Sequence, residues 1–272
     1  MNRSLESITL RRDHTAVVIA PERGAIVTSF RVHDRELLYL DEATLNDRSK
    51  NVRGGIPILF PTPGKLQDDR FACAGRTGEL KQHGFARNLE WHPDALDDSA
   101  ATLGIAANDE TLRAYPWRFK ASARFEVAEG SLTMRFAITN QDSSAMPFAF
   151  GLHPYFLVHD KARARVPTSA KQAFDNVKKT VGPFSGFDFT QGEVDIHLLD
   201  HNSARAALEV GDQTITIEGS PELTRWVIWS IPGKEFICLE PWSAPGNALN
   251  TGEGVITLAP GERRELWVKI TG

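Results

Sequence analysis

Three stretches of the chain set a titratable side chain inside an apolar run. The first is Phe148-Ala-Phe-Gly-Leu-His153-Pro-Tyr-Phe-Leu157. Strand parity puts Phe148, Phe150, Leu152 and Phe156 on one face and Ala149, Gly151, His153 and Tyr155 on the other. Small neighbours leave room for a ligand beside the imidazole; a core histidine satisfied by a backbone carbonyl is the plainer alternative. The second is Phe236-Ile-Cys-Leu-Glu240-Pro-Trp242, where a glutamate ends a hydrophobic strand. Glutamate is rarely buried without a partner, and a desolvated carboxylate has a raised pKa that suits proton transfer near neutral pH. A strand-end glutamate facing water is the alternative. The third is Gln82-His83-Gly-Phe-Ala-Arg87, with Asn51-Val-Arg53-Gly-Gly-Ile-Pro57 upstream. The two glycines after Arg53 let backbone and guanidinium approach a ligand closely. Taken singly, these residues are more often surface or capping groups.

Other chemistries lack their residues. There is no G-x-S-x-G elbow, no Walker loop and no H-E-x-x-H, and Gly54-Gly55 lacks the dinucleotide spacing. Two histidines and a glutamate would make a metal triad with open positions. These three lie far apart in sequence with no close His-x-His pair, so neither a metal nor a cofactor is expected.

The elements that would carry these residues read with a period of two. From Phe119 the apolar positions are Phe119, Ala121, Ala123, Phe125 and Val127, then Leu132, Met134, Phe136 and Ile138 after Glu129-Gly130. That predicts a hairpin with one buried face. Further hairpins are expected from Ala206 to Ile217 around Gly211-Asp212 and from Val255 to Ile270 around Pro260-Gly261. Other strands are expected over Ala16–Ala20, Ala25–Val32, Leu37–Leu40, Ile56–Phe60, Ala101–Ala106, Phe148–Val158, Val194–Leu199, Arg225–Ile231 and Glu235–Pro241. Only Asp109–Ala114 and Ser169–Val177 suit short helices. Many short strands and few helices point to an all-β sandwich or barrel, read here as one domain over residues 1–272. The strand-poor Pro61–Gln82 stretch is a candidate functional loop.

Composition narrows the partners. Of 272 residues, 41% are apolar, and 31 basic against 35 acidic side chains give a net charge of −4. No basic run exceeds two residues, which argues against a nucleic-acid partner. No apolar run approaches a bilayer span, and Ala16–Ala20 is too short for a signal segment. Cys73 and Cys238 read as reduced thiols, so a cytoplasmic location is expected.

Arg53-Gly-Gly-Ile-Pro-Ile-Leu-Phe-Pro61, Gln82-His-Gly-Phe-Ala-Arg87, Gly151-Leu-His-Pro-Tyr-Phe156 and Ile237-Cys-Leu-Glu-Pro-Trp242 occur in this order. Together they resemble the aldose 1-epimerase (sugar mutarotase) family, which includes the hexose-6-phosphate mutarotases, from about Gly24 to Thr271. The resemblance implies a large antiparallel β-sandwich with an open sugar cleft. It implies His153 as general acid, Glu240 as general base, His83 polarising the ring oxygen or 1-hydroxyl region, and Arg53 on sugar hydroxyls. It also implies a sugar-binding carboxylate, matched best by Asp175, with Asp188 as the fallback. Arg53 and Arg87 match positions that hold the phosphate in the 6-phosphate enzymes. The implied reaction is anomer exchange by ring opening, with no metal, nucleotide or covalent intermediate, and the implied partner is a sugar or sugar phosphate. The loop between the arginines carries Asp68, Asp69 and Glu79 against Lys65 and Lys81. That balance favours a free or broadly tolerated aldose over glucose 6-phosphate. A non-catalytic carbohydrate-binding domain on the same fold is the remaining alternative. Trp226, Trp229 and Trp242 could stack on a sugar, although Trp226 and Trp229 read better as core.

Overall fold

The computed structural model describes residues 5–272. Its two largest sheets have eight strands each. The first runs in the order Ala164–Arg165, Arg205–Val210, Gln213–Gly219, Arg263–Thr271, Ser131–Asn140, Phe119–Ala128, Ala100–Ala106, His92–Leu96. The second runs Thr180–Pro183, Gln172–Asp175, Val194–Leu198, Arg225–Ser230, Phe236–Trp242, Gly151–Leu152, Ile58–Leu59, and Tyr155–Leu157 also pairs with Phe236–Trp242. The pairings are antiparallel. Smaller sheets are formed by Ile8–Glu36, by Met146–Phe148 with Ile256–Leu258, and by Arg70–Cys73 with Arg76–Glu79.

The two large sheets face each other across one apolar cluster. Phe125, Met134 and Phe136 enter it from the first, and Phe150, Phe156, Ile237 and Leu239 from the second. Phe136 and Phe150 meet with ring centroids 4.7 Å apart. Along Phe119–Ala128 burial alternates strictly, as the sequence pattern requires for a strand with one dry face. The hairpin register runs from Phe119↔Asn140 to Ala128↔Ser131, with Gly130 in the left-handed region at φ +67°.

The strand Phe236–Trp242 is different: every residue is buried. Ile237 and Leu239 go to the inter-sheet core, while Phe236, Cys238, Glu240 and Trp242 point to the opposite face. A strand buried on both faces shows no alternation, and this sheet needs a second cover over its outer side.

Three expectations from the pattern are corrected. The Val255–Ile270 hairpin does not form. Ile256–Leu258 pairs with Met146–Phe148, whereas Arg263–Thr271 pairs with Ser131–Asn140 and Gln213–Gly219. The turn between them is held from outside, since Gly261 donates its N–H to the Asn140 carbonyl. Alternation identifies a strand but not its neighbour. The helix expected over Ser169–Val177 is absent, and Gln172–Asp175 is a strand. The Asp200 carboxylate accepts from the N–H groups of Lys171 and Gln172 and fixes its start. Phe148–Val158 breaks into Met146–Phe148, Gly151–Leu152 and Tyr155–Leu157, although its parity survives. The Ala206–Ile217 hairpin and the Asp109–Ala114 helix form, the latter with a capping box between Asn108 and Thr111.

Gly84 shows how tightly the loop after Gln82 is seated. It lies at φ +67°, and a Cβ there would sit 2.2 Å from the Phe60 carbonyl oxygen, which accepts from the N–H groups of Phe85 and Ala86. Gly75 has φ +74° and open space. Gly75→Ala is therefore expected to cost about 1–2 kcal/mol from backbone conformation alone. Gly84→Ala adds a backbone clash and is expected to cost at least about 3 kcal/mol. Urea denaturation of both variants checks this, and equal midpoints would show that the Phe60 contact is not tight.

Candidate active site

The outer face of the second sheet forms the floor of a cavity of about 770 Å³. Its residues sit on a grid fixed by strand register. One rung is Glu240↔Val227↔His197↔Phe174. The next is Tyr155↔Cys238↔Trp229↔Asp195. His153 lies between Gly151, paired with Trp242, and Tyr155, paired with Cys238, so it stands beside Glu240 at the end of the first rung. Its own N–H donates to the Pro57 carbonyl, which anchors the backbone there.

His153 Nε2 is 3.4 Å from Glu240 Oε1, with the residues 6% and 2% exposed. Trp242 Nε1 donates to Glu240 Oε2 at 3.2 Å. Tyr155 stacks on the His153 ring at 4.6 Å with planes 7° apart, and Trp229 meets it edge-on at 5.8 Å. Burial pushes the Glu240 carboxyl up, helped by the charge of Asp195, while Trp242 and Arg87 oppose the rise. Burial pushes His153 down, helped by His83, Arg87 and Arg53. Both groups are driven toward their neutral forms, so over a wide pH range the pair holds one proton between its two sites.

His83 arrives from the loop at φ +74° and donates Nδ1–H to the Pro63 carbonyl at 2.5 Å. A carbonyl only accepts, so the proton is on Nδ1 and Nε2 carries the lone pair. Burial, then Arg87, pushes its pKa down to about 3, and the ring is a neutral neighbour 5.2 Å from His153.

Arg53 and Arg87 both line the cavity. The Arg53 guanidinium lies over the Trp229 ring at 5.4 Å. Arg87 donates from Nη2 to the Gln82 carbonyl at 3.3 Å, and its buried Nε has no partner. Among the described residues neither guanidinium is within ion-pair distance of a carboxylate.

Asp175 is not in the cavity. Its neighbours Phe174 and Asn176 line it, so parity turns Asp175 to the other face. There its carboxylate accepts from the Val177 and Lys178 N–H groups and from Lys178 Nζ. Asp188 caps Thr190 and also lies outside. The carboxylate on the floor is Asp195, whose Oδ2 accepts from Asn176 Nδ2 at 2.6 Å. Asp195 and His197 were legible in Val194-Asp-Ile-His-Leu198, where Val194, Ile196 and Leu198 alternate with them toward the core. Trp229 is also corrected, since it is half-buried and lines the cavity beneath Arg53; Trp226 also borders the cavity but is fully buried, its Nε1 donating to the Ser203 carbonyl.

One group of metal-ligand residue types stands out among the described residues: His153, Cys238 and Glu240, with ligand atoms within 4.8 Å. Burial pushes the Cys238 thiol above the ordinary thiol range.

The arrangement is a buried acid–base pair above an apolar floor, ringed by donors for hydroxyls. A profile described as "Aldose 1-epimerase" matches residues 6–271. This chain belongs to the aldose 1-epimerase family. It is an isomerase that interconverts the anomers of a sugar. The Slr1438 protein of Synechocystis sp. PCC 6803 is 33% identical, with a TM-score of 0.95 over 99% of this aldose 1-epimerase and 96% of that chain. A Cenchrus ciliaris protein named "Putative glucose-6-phosphate 1-epimerase" is 28% identical over 95% of this chain and 82% of its own length. A galactose mutarotase-like protein from Lactobacillus casei is 26% identical, with a TM-score of 0.79 over 98% and 99% of the two chains. No helix among the described residues is long and apolar enough to cross a membrane.

A pair that works with one shared proton has two ways to fail. A second proton is resisted by His153, held below the ordinary histidine range, and the last proton is retained by Glu240, held above the ordinary carboxylate range. If this pair carries the protons of anomer exchange, the rate is expected to be bell-shaped in pH, with an acid limb below the ordinary histidine range. NMR exchange spectroscopy across pH checks this; a rate that climbs steadily to pH 9 would remove the histidine as a proton carrier.

Proposed function

We propose that this enzyme equilibrates the α and β anomers of an aldohexose phosphorylated at C6, using Glu240 and His153 as its proton carriers. The observation that carries the substrate assignment is the pair of cavity-lining guanidiniums, Arg53 and Arg87, that have no carboxylate partner among the described residues. Arg87 is half-buried with an unpartnered Nε and Arg53 is exposed at the cavity rim, and a phosphate accepts from arginine in charge-assisted, bidentate fashion. The acidic loop that favoured a free sugar does not bear on the cavity. Asp69 pairs with Lys81 and Glu79 with Arg70, and none of Asp68, Asp69 and Glu79 lines the cavity, whereas Lys65 does. The name of the Cenchrus ciliaris relative agrees with this choice.

In the proposed reaction the pair acts from its imidazolium–carboxylate form, with the shared proton on His153: Glu240 takes the proton of the C1 hydroxyl while His153 gives one to the ring oxygen. The C1–O5 bond breaks, C1 becomes an aldehyde, the C1–C2 bond rotates, and closure on the other face returns both protons. The protein pair begins and ends with one proton, so turnover requires no external acid or base. His83, neutral with its Nε2 lone pair free of the Pro63 contact, accepts from a sugar hydroxyl. Asp195 takes the part of the hydroxyl-binding carboxylate in place of Asp175. A matched acid and base 3.4 Å apart favours catalysis over mere sugar binding, which needs neither. The two free cysteines agree with a cytoplasmic location.

His153→Ala and Glu240→Gln are each expected to lower exchange of α-glucose 6-phosphate at least about a hundredfold with the circular dichroism spectrum unchanged. Near wild-type exchange in Glu240→Gln would remove it as the base.

The arginine assignment has its own test. Arg87→Ala is expected to raise KM for glucose 6-phosphate at least about tenfold, the scale of a hydrogen bond to a charged group. Polarimetry on free glucose should change by less than about threefold, outside that scale. A wild-type enzyme that handles both sugars alike would overturn the phosphate assignment.

A further inference from the structure

His197 is the third histidine of the cavity, and the reaction as described leaves it without a task. It shares the catalytic rung: Glu240, Val227 and His197 are register neighbours on three adjacent strands. Two strand spacings place the His197 backbone about 10 Å from that of Glu240. Val227 is the register neighbour between them, and Trp242 stands against both, donating to Glu240 Oε2 and meeting the His197 ring.

The ring is fixed but its Nε2 is uncommitted. Trp242 meets it edge-on at 5.5 Å and Phe174 at 5.6 Å, so aromatic walls hold it from two sides. Its Nε2 is 3.5 Å from Asp195 Oδ1, too far for a good hydrogen bond between nitrogen and oxygen. The other carboxylate oxygen of Asp195 is already anchored by Asn176 at 2.6 Å. The cavity therefore presents, side by side on one rigid wall, a ring nitrogen and a carboxylate oxygen whose mutual bond is unmade. A hydroxyl group is donor and acceptor at once. Placed between these two groups, it donates to Asp195 and accepts from His197.

We infer that His197, together with Asp195, grips one hydroxyl on the C3–C4 edge of the bound sugar and so sets which sugars the cleft accepts. This rests on the reaction proposed above for its orientation. Glu240 and His153 act on C1 and the ring oxygen, and the ring edge opposite that bond is C3–C4. A pyranose lying on Val227 with its reacting edge at the catalytic pair turns the C3–C4 edge toward the far end of the rung. His197 is thus a specificity residue that touches substrate but carries no proton of the reaction.

The test is a set of calorimetric Kd values for glucose 6-phosphate and its 2-deoxy, 3-deoxy and 4-deoxy analogues, on wild-type protein, His197→Ala and His197→Gln. The same series is run on glucose and its deoxy analogues, with kcat and KM from NMR exchange alongside. Wild type is expected to bind either the 3-deoxy or the 4-deoxy sugar about threefold to tenfold more weakly than the parent, the scale of one neutral hydrogen bond. His197→Ala should weaken the parent by a similar factor and erase the discrimination at that one position, while the 2-deoxy sugar and the remaining analogue keep their wild-type ratios to the parent. The kcat for the parent should stay within about threefold, a change below the scale of a lost proton carrier. His197→Gln, which keeps a hydrogen-bonding head, should restore part of the discrimination and guards against a mere packing effect. Equal weakening of all four sugars by His197→Ala, loss of discrimination only at C2, or a fall in kcat with Kd unchanged would overturn the inference. A cleft that binds free and phosphorylated sugars alike would sink the phosphate assignment, while the glucose series would still decide the role of His197.

Discussion

The molecule is arranged around two nearly buried titratable side chains that line one cavity. His153 and Glu240 stand 3.4 Å apart, and each is almost fully buried. Taking two charges out of water is expensive, and removing one partner of such a pair leaves the other stranded. The pair escapes most of that penalty because it holds one proton: neutral acid beside neutral base, or imidazolium beside carboxylate. Burial favours the first arrangement; Arg87 pulls Glu240 toward ionisation, while Arg87 and Arg53 push His153 away from it. A group poised between two protonation states is what reversible proton transfer at neighbouring oxygens requires.

Keeping that pair in place falls to a sheet rather than to a loop. Glu240 rides on a strand whose alternate residues, Ile237 and Leu239, are locked in the inter-sheet core. A slip of one register position would exchange Glu240 with a core residue, so the packing that stabilises the sandwich also fixes the place of Glu240. His153 comes from a segment broken into two short pairings, one on each side of it. The break frees the His153 backbone from the ladder of Phe236–Trp242, and its N–H bonds instead to Pro57. The rings of Tyr155 and Trp229 then hold the imidazole where no hydrogen bond reaches Nδ1.

What could be read from the residues follows from how local the determining force is. Parity along a strand is local, and it placed Phe148, Phe150, Leu152 and Phe156 in the core with His153 and Tyr155 outside it. The same rule applied to Val194–Leu198 would have turned Asp195 and His197 toward the cleft together. Matching Asp175 by resemblance alone overlooked that it stands one residue out of phase with Phe174 and Asn176. Strand partnership is not local. Nothing in the alternation of Val255–Ile270 says that its two halves belong to different sheets, because the choice is made by Met146–Phe148 and Ser131–Asn140, over a hundred residues away.

The charge of the cavity was hardest to read for the same reason. Net charge and loop composition count every acid equally, yet only those that face the cleft act on a ligand there. Asp69 and Glu79 spend their charge on Lys81 and Arg70 at the surface, where solvent screens them. Arg87 is the reverse case: a guanidinium whose Nε is buried without a partner, near an arginine that makes no ion pair among the described residues. Two like charges held together in a partly dry site raise each other's free energy, and packing alone gives no reason to keep both. An anionic substrate offsets that repulsion only while it is bound. On the proposed phosphate assignment, relief of the repulsion between Arg53 and Arg87 is one source of affinity for the substrate.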